Sequence, residues 1–304
     1  MKVNYRLKIS YLLVFVCLLI FANVHMSSIF AQEKPVVKAP VPDIVAIPRP
    51  NADEVKLAEQ GLQKFLETAD PSIKEINHKY PGLISVRVPR ENTAIIPNLI
   101  PFFQMKHQSN LQAARQGDID VLFMGDSITD FWRNLDAPYA GKPVFDKYFE
   151  NLKAANFGIA GDTTQGVLYR LQNGEGKGFS PKAVMLMIGT NNTMQNNAEE
   201  IAEGIGAVVL ELQKDFPKAK ILLLAVFPRS TPDDPVRATI TEINNKISKL
   251  HDGDKVHYMD IGPKFLDDRG FIPSDVMSDG LHPTTKGYEI WAEAVKDKLF
   301  SLMN

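Results

Sequence analysis

Apolar residues in the last two thirds of the chain fall into two alternating patterns. The first is short, uninterrupted apolar runs at Val121-Leu122-Phe123-Met124, Ala155-Asn156-Phe157, Val184 to Ile188, Ile221 to Val226 and Val256 to Met259. Runs without polar alternation predict strands buried on both faces. The second is helical spacing. Ile201, Ile205, Val208-Val209 and Leu212 share one face of a helix predicted from Ala198 to Phe216, with Asn197 and Glu200 placed as a capping box. Ile240, Ile243, Ile247 and Leu250 repeat the spacing, as do Tyr288, Trp291, Val295 and Leu299. Strands alternating with amphipathic helices predict an α/β protein, a three-layer α/β/α sandwich on a five-stranded parallel sheet. Functional groups in such sheets lie beyond the carboxyl ends of the strands.

The first hundred residues lack this regularity. Lys2, Arg6 and Lys8 precede an apolar run from Tyr11 to Ala22, and Ser27-Ser28-Ile29-Phe30-Ala31 follows. That order is a secretory signal peptide, residues 1–31, cut after Ala31. The run is shorter than a bilayer span, so a permanent anchor is not expected. Prolines 35, 40, 42, 48 and 50 make residues 32–50 read as an extended linker rather than part of a core. Asn51 caps a predicted helix with Val55, Ala58, Leu62 and Phe65-Leu66 along one stripe and Leu57 off it. Residues 51–100 read as an N-terminal extension packed on a main domain of residues 101–304.

Composition narrows the class. The 304 residues carry 34 basic and 36 acidic side chains for a net charge of -2, and no basic run, so nucleic acid is not an expected partner. The one cysteine, Cys17, lies in the signal, which excludes an intrachain disulfide and a cysteine-clustered metal site. The mature chain is expected outside the cytoplasm, secreted or periplasmic.

Four segments carry candidate chemistry, each at a predicted strand end or a turn. In Gly125-Asp126-Ser127-Ile128-Thr129, Ser127 follows a strand and opens a helix, a position that fits a nucleophile or a simple helix cap. Thr129 rules out the Gly-x-Ser-x-Gly elbow. In Asp279-Gly280-Leu281-His282-Pro283, the turn lets Asp279 hold the His282 imidazole in the tautomer that accepts a serine proton, although an isolated Asp-x-x-His is more often a surface turn. Gly161, within Asn156-Phe157-Gly158-Ile159-Ala160-Gly161-Asp162, offers an unobstructed N–H to an oxyanion or makes an ordinary glycine turn. Asn191, within Gly189-Thr190-Asn191-Asn192, is placed to donate a side-chain N–H to the same oxyanion, though asparagine is also a common turn former.

Together and in this order the four blocks resemble the SGNH (GDSL-type) hydrolase family over residues 101–304. Asn156 to Leu171, with Thr163-Thr164 and Tyr169-Arg170-Leu171, is most similar to the branch of the platelet-activating-factor acetylhydrolase alpha subunits. The resemblance implies a flavodoxin-like sheet, Ser127 as nucleophile, His282 as general base and Asp279 as its orienting carboxylate. It implies an oxyanion hole of the Ser127 and Gly161 N–H groups and the Asn191 amide, with no metal or organic cofactor. Ile128, Thr190 and Leu281 flank those positions and either line a small acyl pocket or pack in the core. Trp132 and Arg133 either line the alcohol side or, for Trp132, belong to the core.

The expected function is an exported serine esterase acting on short-chain, acetyl esters of carbohydrates through an acyl-enzyme. The alternatives are a short-chain lipid or phospholipid acylhydrolase and, less in keeping with the intact residue set, a glycan-binding relative. The expected partner is a small-molecule or glycan ester. No stable membrane anchor is expected after signal cleavage, and the resemblance leaves a homodimer open.

Overall fold

The uninterrupted apolar runs do form strands buried on both sides. In the computed structural model, which describes residues 37–304, they are β1 (Val121–Gly125), β2 (Ala154–Asn156), β3 (Ala183–Met187), β4 (Lys220–Leu224) and β5 (Val256–Met259). All pairings are parallel and the order is β2-β1-β3-β4-β5, with Phe123 in register with Asn156 on one side and Met185 on the other. The bounds of β1 to β4 differ by one residue from those predicted and β5 is as predicted, except that β4 stops two residues short. There the Asn244 side chain takes over both the N–H and the C=O of Val226, at 2.8 and 2.9 Å, and draws the chain out of the ladder.

Period-two alternation divides the sheet into two cores. Leu122, Met124, Val184, Leu186, Ile221 and Leu223 join one; Val121, Phe123, Ala183, Met185, Leu222 and Leu224 join the other. In chain order the α-helices are α1 (Ala52–Thr68), α2 (Pro71–Lys79), α3 (Gln104–Gln116), α4 (Ser127–Asp130), α5 (Lys142–Phe149), α6 (Thr164–Arg170), α7 (Ala198–Asp215), α8 (Pro235–Ile247) and α9 (Thr285–Met303). Helices α6, α7 and α8 cover the first face, α5 and α9 the second. The three-layer α/β/α sandwich is therefore as expected, and α7 begins at the Asn197–Glu200 capping box. Among the described residues no helix is long and apolar enough to cross a membrane. The signal read at residues 1–31 lies outside the described residues.

The linker expected at residues 32–50 needs correction over its described part. Ala39 and Val45 are buried in the first core, and Ala39 N–H donates to Ile95 C=O at 2.9 Å. The chain lies as an extended strap on α7. A Cβ on Gly206 would come within 2.7 Å of Val45 and 2.9 Å of Pro42, so the glycine is what admits the strap. Its own backbone bonds are confined to one 3₁₀ turn, where Val45 N–H donates to Pro42 C=O at 3.0 Å and Ala46 N–H to Asp43 C=O at 3.2 Å, so most of this proline-rich stretch needs outside partners. Glu203 on α7 is one such partner, accepting from Ile47 N–H at 2.7 Å and from the Arg49 guanidinium at 2.7 Å.

The extension behind it is of two kinds. Helices α1 and α2 contribute no buried residue, and Leu57, off the stripe, is exposed. Further along, Arg90 pairs with Glu200, Asn92 donates to Glu200 C=O and Glu203, and Ala94 and Ile95 are buried against the main body.

Candidate active site

At the end of β1 a side chain has no room. A Cβ on Gly125 would stand 2.3 Å from both Met187 C=O and Thr129 Oγ1, so glycine lets β1 run beside β3 and turn at once into α4. Asp126 caps that turn by accepting from Ile128 N–H at 3.0 Å, which leaves Ser127 as the first helical residue. Because α4 is a single turn that passes into a 3₁₀ turn at Phe131–Arg133, Ser127 gains little from a helix dipole; its local N–H matters more.

Ser127 Oγ lies 2.9 Å from His282 Nε2, and His282 Nδ1 lies 2.7 Å from Asp279 Oδ2. The other oxygen of Asp279 accepts from Leu281 N–H at 2.9 Å and His282 N–H at 2.8 Å. Partial burial opposes ionisation of Asp279. The hydrogen bonds from the His282 ring and from the two backbone N–H groups outweigh it and hold the carboxyl below the usual carboxylate range. An ionised Asp279 makes Nδ1 the donor, so Nε2 is the acceptor that faces Ser127. The imidazole lies against a pair of aromatic rings, Phe131 at 5.0 Å and Tyr139 at 5.7 Å between centroids, which are themselves 6.0 Å apart. No sequence pattern singled out Tyr139, which is 143 positions from His282 in the chain.

The expected oxyanion donors follow the ends of β1, β2 and β3, which are adjacent in the sheet. Gly161 is exposed with φ +85°, a conformation that glycine adopts freely, and among the described residues neither its N–H nor that of Ser127 donates elsewhere. Asn191 Nδ2 donates to Asp162 C=O at 2.8 Å, which fixes the amide plane and leaves its second N–H free. The loop that carries Gly161 is docked on the Ser127 turn by Asn156, Asp130 and Arg133. Asn156 Nδ2 donates to Thr129 C=O at 2.7 Å, and Ala160 N–H donates to Asp130 Oδ2 at 3.0 Å. Arg133 bonds Asp130 and the carbonyls of Asn156 (2.9 Å) and Gly158 (2.7 Å). Arg133 therefore positions the loop rather than facing the alcohol side, and Trp132, fully buried against Tyr288 and Trp291, is core.

The acyl pocket expected from Ile128, Thr190 and Leu281 is also corrected. Ile128 is wholly buried in the second core, because the side chain following Ser127 points into the sheet. Thr190 is buried too, and its hydroxyl has no partner among the described residues. Leu281, half-buried on the same core, keeps a surface beside His282. Among the described residues no three His, Cys, Asp or Glu side chains come together as a metal site.

The carboxyl edge of this sheet is arranged for acyl chemistry, and the class it defines is the carboxylic ester hydrolases of α/β/α architecture. Comparison with known proteins narrows the class. The pattern of the GDSL-like lipase/acylhydrolase family matches residues 123–290, more than half of the chain. Platelet-activating factor acetylhydrolase IB subunit alpha2 of Rattus norvegicus is 32% identical over 219 residues, 70% of this chain and 92% of that protein. The alpha1 subunit of the same organism is 31% identical over 198 residues, 65% and 82% of the two chains. A GDSL-like lipase of Bacteroides thetaiotaomicron shares the fold at 20% identity and a TM-score of 0.53, over 66% of this chain and 97% of its own. The chain belongs to the GDSL-like lipase/acylhydrolase family and is a carboxylic ester hydrolase.

Proposed function

We propose that the protein is an exported serine esterase that removes short acyl groups, acetyl foremost, from carbohydrate hydroxyls. The observation that carries the reading is the unbroken chain Asp279–His282–Ser127, with links of 2.7 and 2.9 Å. His282 Nε2 takes the Ser127 proton as Oγ attacks the ester carbonyl. The Ser127 and Gly161 N–H groups and the free Asn191 N–H receive the oxyanion. The protonated imidazole, stabilised by Asp279, returns the proton to the leaving alcohol oxygen. Water then attacks the acyl-serine by the same route and releases the acid. Relatives named as acetylhydrolases support a short acyl group. The half-buried aromatic rings of Phe131 and Tyr139 beside His282 suit the face of a sugar ring. The basic start and apolar run of residues 1–31 support export.

The names of those same relatives favour a second reading, an acetylated phospholipid as substrate. The deciding assay is acetate release from acetylated xylo-oligosaccharides, from a short-chain phospholipid ester and from 4-nitrophenyl acetate, with wild type and Ser127→Ala. Loss of at least about 10⁴-fold in the variant on every ester is expected. Turnover of the phospholipid alone among the natural esters would replace the carbohydrate reading, and equal rates in variant and wild type would remove the serine mechanism.

A further inference from the structure

Beyond the donors of the reaction, Arg229 at this edge of the sheet has neither an ion pair nor a short hydrogen bond among the described residues, although its charge acts at longer range on Asp234 and Asp126. After β4 the chain runs Phe227-Pro228-Arg229-Ser230, and among the described residues Arg229 forms no ion pair. Its side chain is half-buried and makes one long contact, Nη1 to Thr190 C=O at 3.5 Å. The contrast with Arg237 nearby is informative. Arg237 spends its donors on the carbonyls of Arg229 (2.6 Å), Ser230 (3.0 Å) and Gly270 (3.3 Å), so its role is to hold the loop. Arg229 is the residue held.

The loop is held in a costly shape. Ser230 has φ +62° and is the one non-glycine residue with positive φ among the described residues. Such a conformation costs on the order of 1 kcal/mol or more and persists only where the surroundings impose it. Here they do: Ser230 Oγ donates to Asp234 at 2.6 Å, Arg237 binds two successive carbonyls, and Ser230 N–H donates to Gly280 C=O at 2.8 Å. The last contact ties the loop to the turn carrying Asp279 and His282, while the Thr190 contact ties Arg229 to the residue preceding Asn191. Arg229 thus stands between the two turns that supply the base and the oxyanion donor.

We propose that Arg229 is a specificity-determining residue that receives an anionic group, a carboxylate or phosphate oxygen pair, carried by the ester substrate. The proposal rests on the esterase reading of Ser127. A guanidinium presents several N–H donors in a fixed fork that matches both anions, and an arginine this poorly satisfied is ready to use them. Charge recognition at the rim acts on binding and selectivity more than on the chemical step.

The test compares esters that differ only in charge: 4-acetoxybenzoate against its methyl ester, acetylated glucurono-xylo-oligosaccharides against neutral acetylated xylo-oligosaccharides, and a 2-acetyl glycerophospholipid against the matching neutral 2-acetyl glyceride. Wild type is expected to favour the anionic member of at least one pair by about tenfold in kcat/KM, roughly 1.4 kcal/mol. Arg229→Gln should bring that ratio near one through KM, and Arg229→Lys should restore part of it. The natural pair that moves names the source of the anion; if only the benzoate pair moves, the site reads a carboxylate close to the ester and neither natural class carries it. A merely structural role lowers both members of each pair equally, together with the melting temperature. No charge preference in wild type, or a preference that survives in Arg229→Gln, overturns the proposal. Failure of wild type on every ester would instead overturn the esterase reading.

Discussion

Two groups of buried charge in this protein use the same residue types to opposite effect. On α7, Glu200 and Glu203 bind Arg90, Arg49 and Asn92 and fasten the N-terminal strap. Their arginines keep 63% and 34% of their side chains in water, so these cations are only partly desolvated. Beneath the oxyanion loop, Arg170 is fully buried between Asp162 and Glu175, and Glu175 also meets His107 of α3 at 2.7 Å. The first group holds its carboxylates in the ionised form. Burial opposes it, but the arginine, the backbone N–H and the asparagine donors prevail, and Glu203 titrates below its ordinary range. In the second, one cation serves two carboxylates, and burial pushes the Asp162 carboxyl up. The strap is thus fastened by charges that still reach water, whereas the loop bearing Gly161 is held by charges that cannot. That loop is the costlier to disturb, because Asp162 C=O also aims the Asn191 amide.

The largest effect should come from removing the shared cation. Arg170→Met leaves Asp162 and Glu175 buried without their shared cation, with Thr163 N–H still on Asp162 and His107 and Asn110 still on Glu175, and removing one partner of a buried pair costs about 3–5 kcal/mol. Asp162 then has less to keep it in place, so ester turnover should fall by roughly 10²-fold in kcat as the oxyanion donor loses its anchor. Urea melts and steady-state kinetics on 4-nitrophenyl acetate measure both. A variant as active as wild type would mean that the loop is held by Asn156, Asp130 and Arg133 alone.

Acidity separates the α7 carboxylates from Asp126, a buried acid that feels the Asp162 charge of the second group. Asp126, just before Ser127, is completely buried, and one of its oxygens has no partner among the described residues. Burial, reinforced by the nearby Asp162 and resisted by the Ile128 N–H, pushes its carboxyl up to about 7. The folded state then holds a proton that the unfolded chain releases near pH 4. The contribution of this group is therefore fully present below about pH 4 and is lost as pH rises to about 7, on the order of 4 kcal/mol in all. Asp126→Asn keeps the cap on Ile128 N–H. Relative to wild type it should gain stability from about pH 4 to about pH 7 and then level off, as read by chemical melts at each pH. The α7 carboxylates have the reverse sign: their folded pKa values are depressed, so their contribution is present above the unfolded value and lost as pH falls. Parallel pH profiles for Asp126→Asn and wild type would erase the distinction.

What was legible in the sequence was whatever repeats or sits next to its cause. The stripe Ile201, Ile205, Val208, Leu212 and its capping box located α7, and strands followed at once by Gly-Asp-Ser or Gly-Thr-Asn located two corners of the site. Ile128 misled because adjacency in sequence does not give direction: the residue after Ser127 points into the sheet. The strap misled because proline-rich composition describes a chain with few internal hydrogen bonds, not what it lies against. Glu203, its partner, is 154 residues from Arg49. Arg133 and Asp130, which dock the loop of Gly161, likewise act through contacts with no periodic trace.

The smallest effect should come from the strap, and Glu203→Leu isolates it. The change removes the acceptor for Ile47 N–H, for Arg49 and for one N–H of Asn92. Arg49 is exposed enough to turn to water, and Asn92 keeps its bond to Glu200 C=O, so Ile47 N–H and half of the Asn92 amide bear the loss. Unsatisfied buried groups of this kind cost about 1–3 kcal/mol. Leucine keeps a comparable volume without a charge to desolvate, which offsets part of that. A fall in melting temperature of a few degrees is expected, with kcat and KM on 4-nitrophenyl acetate close to wild type. Among the described residues no hydrogen bond of Glu203 reaches Ser127, Gly161 or Asn191, and the route by Asn92, Ala94 and Thr164 to Asn192 keeps the Asn92 bonds to Ala94 and to Glu200 C=O. A loss of turnover without a loss of stability would show that the strap and α7 govern the site, and the division between a fastening cluster and a site-holding cluster would fall.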